Sequence, residues 1–404
     1  MQSKSKIHHK ILLIGGGTAG ITIAARLARA GLAHDVCIIE PSENHYYQPL
    51  WTLVAAGFFD FSSSRRATKD YIPRGVTWFR DAAVSISAAS KTVLLESGVE
   101  ISCDWMVVCT GVECDWDSIK GAREALAAPN VSCIYDKAFV DKTRDGINAV
   151  SSGKLLFTFP PPPVKCAGAP QKIMYLADEM LRRRGVRGKV TIEYRSAIGE
   201  IFGIPVFAEV LNKVVARKKI LTRFNQKLIE IRHRENKAIF TDVASEKELE
   251  EVSYAFLHVV PSMRPHQVIR ESDLSLQDGL GKGWVDVDPF TLRHQRWSQV
   301  FALGDVCNAP NAKTGAAIRR QAPVVVSHLL ADMNGVQSSL KYDGYASCPL
   351  ITGFGKVVLA EFGYDGALMP SFPMNPAKES RLMWWLKTIG LPKMYWYFML
   401  RGRA

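Results

Sequence analysis

No apolar run in this chain reaches the roughly 18 residues that a spanning helix needs, so no transmembrane segment is expected. No two of its eight cysteines form a CxxC pair. Zinc-finger spacing is therefore missing, and no structural metal is expected. No RNA-binding module is present, and the basic residues do not gather into one long run. Acidic residues are the scarcer charge, 39 Asp and Glu against 51 Lys and Arg, for a formal net charge of +12. That balance points to an anionic partner such as lipid or a small anion, and not to nucleic acid. The first strand is expected by Ile11, and no signal or transit segment is expected before it. The 404 residues, 47% of them hydrophobic, suffice for two or three globular domains.

What is present begins with Ile11-Leu12-Leu13-Ile14, a buried strand, then Gly15-Gly16-Gly17-Thr18-Ala19-Gly20 and a helix over about 21–30. Gly15 permits a tight turn, Gly17 lets a pyrophosphate approach the backbone, and Gly20 lets the helix pack close to the strand. The N–H groups at the helix start then face the phosphates. A second strand over 36–39 ends at Glu40, about 20 residues past the last glycine, where a ribose hydroxyl is expected. An acid there favours FAD or NAD(H) over NADP(H).

A strand over 99–108 runs into Cys109-Thr110-Gly111, an exit that brings Gly111 backbone near a dinucleotide. Ala83 is a candidate adenine neighbour through its backbone. Cys37 and Cys109 fall on buried strands and are expected to be inert. Further on, Val300-Phe301-Ala302-Leu303-Gly304-Asp305 reads as a buried strand that delivers a carboxylate beside the glycine turn, suited to ribityl hydroxyls. A helix over 313–330 follows. Its first N–H groups, at Gly315, Ala316, Ala317 and Ile318, are placed to face a flavin pyrimidine edge, with the positive end of the dipole towards a reduced, anionic ring. This second segment raises FAD above NAD.

A second βα pattern opens at Lys154: strand 155–159, helix 170–184, strand 190–194, helix 205–219. Ile173, Leu176, Met180 and Leu181 give the first helix an apolar stripe. Its turn is not a phosphate cradle. Pro160 to Pro163 stiffen the backbone and remove amide donors, so electrons are expected from something other than NAD(H). A hairpin over 227–242, a strand over 252–260 and a strand over 284–287 that rejoins the first sheet complete the pattern.

Two cysteines carry the expected chemistry. Cys166 lies beside Lys165 and just before a helix N-terminus, both of which favour the thiolate. Cys348 lies in an apparent loop, Tyr345-Ala346-Ser347-Cys348-Pro349-Leu350. The tail, Leu382 to Arg401, mixes tryptophans with lysine and arginine and has no acid after Glu379. Gly390 and Pro392 are expected to divide it into two short helices lying in a lipid interface. A lipid-facing tail implies a hydrophobic electron acceptor.

With these residues in place, the chain resembles the sulfide:quinone oxidoreductase family, particularly its mitochondrial-type branch. The strings that carry the resemblance are Pro41 to Trp51, Pro163 to Gln171, and Tyr342 to Leu350. The resemblance implies an α/β fold with two Rossmann-like βαβ domains of the disulfide-reductase type and a membrane-associating helical tail. The expected segments are 1–150 and 284–340 for FAD, 151–283 for the second domain, and 341–404 for the C-terminal part. It implies FAD between Gly15 and Asp305, with Glu40, Gln48 and Gly315 to Ile318 as further contacts, and Cys166 and Cys348 as the redox pair. Hydrogen sulfide then leaves a persulfide on Cys348, and ubiquinone or another quinone takes the electrons. A thiophilic acceptor such as glutathione, sulfite or cyanide removes the sulfur. The implied location is peripheral, on a bacterial cytoplasmic or mitochondrial inner membrane. Cys133, near a third cysteine of some bacterial members, is read as structural.

Overall fold

A computed structural model describes residues 6–279 and 281–404. Strand β1 (Lys6–Ile14) runs inside a seven-stranded sheet and enters the glycine turn directly. Helix α1 (Thr18–Arg29) leaves that turn earlier than expected, its first residue being Thr18. β2 (Val36–Ile39) lies parallel to β1, with Ile11 opposite Val36, and β3 (Glu100–Val108) lies parallel on the other side, with Ile14 opposite Val108. All four residues of β2 are buried, as an apolar run in a parallel sheet covered on both faces should be.

The second sheet has five parallel strands. β4 (Gly153–Phe159) and β5 (Val190–Ser196) are at its centre, flanked by 256–258 with 131–132 on one side and 221–223 on the other. α2 (Ala169–Arg183) crosses between β4 and β5 and buries its Ile173, Leu176, Met180 and Leu181 stripe. The chain then returns to the first sheet. β6 (Val300–Ala302) pairs with the last three residues of β3, so Gly304 and Asp305 emerge beside the glycine turn. α3 (Gly315–Met333) and the hairpin β7 (Ala346–Gly353) with β8 (Lys356–Phe362) complete the body. The α/β class, the two Rossmann-like units and the helical tail are as the sequence predicts.

Four local expectations are corrected. The strand expected over 252–260 is two strands in different sheets. Glu248–Ser253 closes a three-stranded antiparallel sheet, and Phe256–His258 joins the parallel one. Between them the amides of Tyr254 and Ala255 turn to Asn236 and Lys154. Trp284 to Val287 does not rejoin the first sheet; Val285 forms isolated bridges to Ser275 and Cys307. It follows backbone that has already left the sheet beyond β6. Cys348 lies on strand β7, opposite Ala360, and not in a loop.

The tail does not break at Gly390 or Pro392. Arg381–Trp385 continues through a π-helical turn, Leu386–Gly390, into Leu391–Tyr397. Gly390 keeps helical angles, and Pro392 sits in the first turn of the last segment, where a missing N–H costs little. The wider π turn absorbs both residues. Among the described residues, no helix is long and apolar enough to cross a membrane.

Candidate active site

The glycine turn is built as its residue types require. Gly15 has φ +100°, and a Cβ there would lie 2.6 Å from the Cys109 carbonyl oxygen. A Cβ on Gly20 would meet the Gly15 oxygen at 1.9 Å, so α1 can start this close to β1 only without a side chain. At Gly17 a Cβ would meet nothing within 4 Å. That open side is where a pyrophosphate can reach the helix N-terminus. Glu40 braces the turn by accepting hydrogen bonds from the Gly16 and Ser42 amides, each 2.8 Å. Burial raises its carboxyl, while these amides oppose the shift.

Beside the turn lies a cavity of about 490 Å³ whose lining includes Gln48, Cys166, Asp305, Gly315, Ala316 and Ile318. Burial pushes the Asp305 carboxyl up, against Lys313 and Lys165. The Thr110 hydroxyl at the exit of β3 is buried and has no partner among the described residues. A glycine cradle, two carboxylates and an unsatisfied hydroxyl beside a roomy cavity fit the phosphates, ribose and ribityl chain of FAD. Ala317 is buried behind the lining, its amide donating to the Thr314 hydroxyl. Gly111, with φ +68°, follows β3, and Ala83 opens an outer strand; neither lines the cavity.

The structure brings Cys166 and Cys348 together. Cys166 adopts φ +47°, a left-handed conformation rare for a residue with a Cβ. Three hydrogen bonds hold it there. Its amide donates to the Lys313 carbonyl at 2.7 Å, and its carbonyl accepts from the Ala169 amide at 2.8 Å and the Tyr135 hydroxyl at 3.0 Å. Cys348 is presented by β7 against Gly168, where a Cβ would come within 2.7 Å of its sulfur.

A direct interaction couples the two thiols. It holds Cys166 well below the ordinary thiol range, helped by Lys172 and Lys387, and pushes Cys348 well above that range together with burial. The neighbouring ammonium favours the thiolate at Cys166. Lys172 Nζ lies 3.5 Å from the Cys166 sulfur. Burial works against the Lys172 charge, but the two sulfurs outweigh it and raise its pKa. Replacing this cation in Lys172→Met should move Cys166 ionisation to higher pH. Alkylation of Cys166 at neutral pH is expected to slow roughly tenfold, measured by rate against pH.

Three functional features escaped the sequence reading. Lys172 was hidden as an ordinary residue in the first turns of α2; its position six residues after Cys166 was the available signal. The tail's composition places Lys387 on a lipid-facing surface, yet it is buried and donates to the Pro49 carbonyl at 2.8 Å. Burial lowers its pKa to about 7, with Lys172 acting in the same direction and the cysteines opposing. Tyr395, also in the tail, places its hydroxyl 2.7 Å from Thr18 Oγ1 and 2.5 Å from His45 Nε2. Burial lowers His45 to about 4, so it is neutral at physiological pH. One face of the tail thus walls the cavity and fastens to the start of α1.

Residues 9–144 match the family model described as pyridine nucleotide-disulphide oxidoreductase. The chain is 39% identical over 398 residues to a mouse protein named sulfide:quinone oxidoreductase, mitochondrial, covering 98% of this chain and 88% of that protein. A solved structure of the sulfide:quinone oxidoreductase from Aquifex aeolicus is similar with a TM-score of 0.81 at 20% identity, covering 98% of this chain and 91% of that one. NDH2 from Plasmodium falciparum, solved with NADH, is similar with a TM-score of 0.64 at 11% identity, covering 100% of this chain and 99% of that one.

Proposed function

This chain belongs to the sulfide:quinone oxidoreductase family, and from that premise we propose that Cys166 and Cys348 are the pair through which it oxidises sulfide. The enzyme is an FAD-dependent flavoprotein with a quinone as electron acceptor. The observation that carries the residue assignment is the buried Cys166 and Cys348 pair with the Lys172 ammonium 3.5 Å from the Cys166 sulfur, beside the cavity.

The polarity sets the direction of the chemistry. In the oxidised pair, hydrosulfide attacks the Cys348 sulfur and breaks the bond to Cys166. Cys348 becomes a persulfide and Cys166 leaves as a thiolate. Of two thiols, the more acidic is the better leaving group, and Lys172 receives its charge. Bound FAD supplies the two-electron acceptor that hands reducing equivalents to the quinone. A nucleophilic acceptor such as glutathione, sulfite, cyanide or a second hydrosulfide takes the outer sulfur of Cys348 and leaves two thiols, which would re-form their disulfide by giving two electrons to bound FAD as two protons leave. The Pro160 to Pro163 approach offers no phosphate cradle, which supports sulfide over a nicotinamide as the electron source.

Mass spectrometry of peptides quenched after one sulfide turnover tests this. The expected product carries one added sulfur on the Cys348 peptide; added sulfur only on the Cys166 peptide would reverse the assignment.

The tail supports peripheral membrane docking as the second part of the reading. Leu382, Trp385, Ile389, Tyr397 and Phe398 are exposed on the side away from the cavity. Deleting the tail would also remove a cavity wall, so substitution is the cleaner probe. Trp385→Ser with Ile389→Ser should lower vesicle binding at least tenfold, about 1.4 kcal/mol of lost apolar insertion, with flavin content unchanged. Sedimentation with lipid vesicles reads the first, and flavin absorbance the second.

A further inference from the structure

We propose that the outer face of the tail helix recognises anionic phospholipid, with Arg66, Lys393 and Arg401 as its phosphate-facing cations. This rests on the peripheral docking proposed above and adds the charge of the lipid.

The apolar part of the face is a helical stripe. Leu382, Trp385, Ile389 and Tyr397 are 58%, 60%, 42% and 52% exposed, and Lys393 continues the spacing between the last two. The cations collect at the C-terminal end of that stripe, around Tyr71. Arg66 donates to the Tyr71 hydroxyl at 3.0 Å, and the Arg401 guanidinium lies 4.7 Å over the Tyr71 ring. Arg66 is also 4.8 Å from the Trp396 ring and 5.3 Å from the Tyr397 ring. Lys393 acts on the same Tyr397 phenol.

Among the described residues, none of the three cations is ion-paired with a carboxylate. Residues 380–404 hold five basic side chains and no acidic one. The acid just before them, Glu379, is already clamped by Arg217 at 2.7 and 2.8 Å. Three gathered cations without a counter-charge repel one another, and an external anion relieves that repulsion. Arginines stacked on Trp and Tyr beside an exposed apolar stripe match the depth order of a bilayer surface, with rings at the interface and charges at the phosphates. A second copy of the chain fits poorly. A two-fold contact through this face brings like cations together.

The test uses the full-length flavoprotein and sedimentation with two vesicle types, phosphatidylcholine alone and phosphatidylcholine with phosphatidylglycerol. The wild type should bind the anionic vesicles more tightly and lose that advantage as salt rises. Lys393→Gln with Arg401→Gln should cut binding to anionic vesicles roughly 25-fold, about fivefold per charge, and change binding to neutral vesicles little. Both residues are exposed, so this variant keeps the test available if Arg66→Gln fails to fold. Equal binding to both vesicle types overturns the lipid-charge proposal and leaves peripheral docking standing. Binding to neither overturns both. A lipid-free dimer that Trp385→Ser converts to monomer assigns the face to a second copy and also overturns the proposal.

Discussion

Cys166→Ser and Cys348→Ser proteins are expected to purify with FAD and to lose sulfide-dependent quinone reduction by at least about a thousandfold. A hydroxyl can form neither the disulfide that hydrosulfide attacks nor the persulfide that follows. The two variants should fail differently. In Cys166→Ser the remaining Cys348 loses its neighbouring sulfur and is left as a buried thiol near Lys172. In Cys348→Ser the Cys166 sulfur keeps Lys172 at its side but loses the neighbouring thiol. Cys166 should therefore still alkylate in the second variant, more slowly at low pH than in the wild type. Quinone reduction by sulfide, flavin absorbance and iodoacetamide labelling measure the three outcomes. Turnover unchanged in either variant would contradict the thiol-pair assignment.

Gly20→Ala is expected to remove FAD almost completely. The added methyl would sit 1.9 Å from the Gly15 oxygen, a backbone atom that cannot step aside. Helix α1 must then move off β1, which costs several kcal/mol, about 3 by analogy with overpacked cores, and takes the phosphate-facing amides out of position. Gly17→Ala is the informative comparison. A methyl there meets no protein atom within 4 Å, so the apo fold should melt at an unchanged temperature. It would still crowd the side from which the pyrophosphate approaches, so flavin should dissociate more readily. Calorimetry of the apo proteins and fluorescence of released flavin separate the two effects. Equal FAD affinity in Gly17→Ala and wild type would place the phosphates elsewhere.

The sequence made the glycine turn, the second acid at Asp305 and the Cys166 neighbourhood legible because each is local. A tight turn, a strand-end carboxylate and a thiol before a helix are written in adjacent residues. What escaped reading depends on contacts between distant segments. Lys172 matters because β7 brings Cys348 to it across the fold. Lys387 looked like one more basic residue of an interfacial helix; only the π turn and the packing of the tail against Pro49 turn it inward. Val252 to Val260 reads as one apolar-rich strand, and its division follows from the turn at Tyr254-Ala255, which serves two sheets at once. Gly390 and Pro392 mark a break by composition, yet a π turn lets the helix continue.

Electron entry through Cys166 and Cys348 is tested most directly by an anaerobic titration of the FAD-loaded protein with sulfide and, separately, with NADH. Sulfide should bleach the visible flavin band within a turnover while NADH leaves it intact. Bleaching by NADH with none by sulfide would contradict the account.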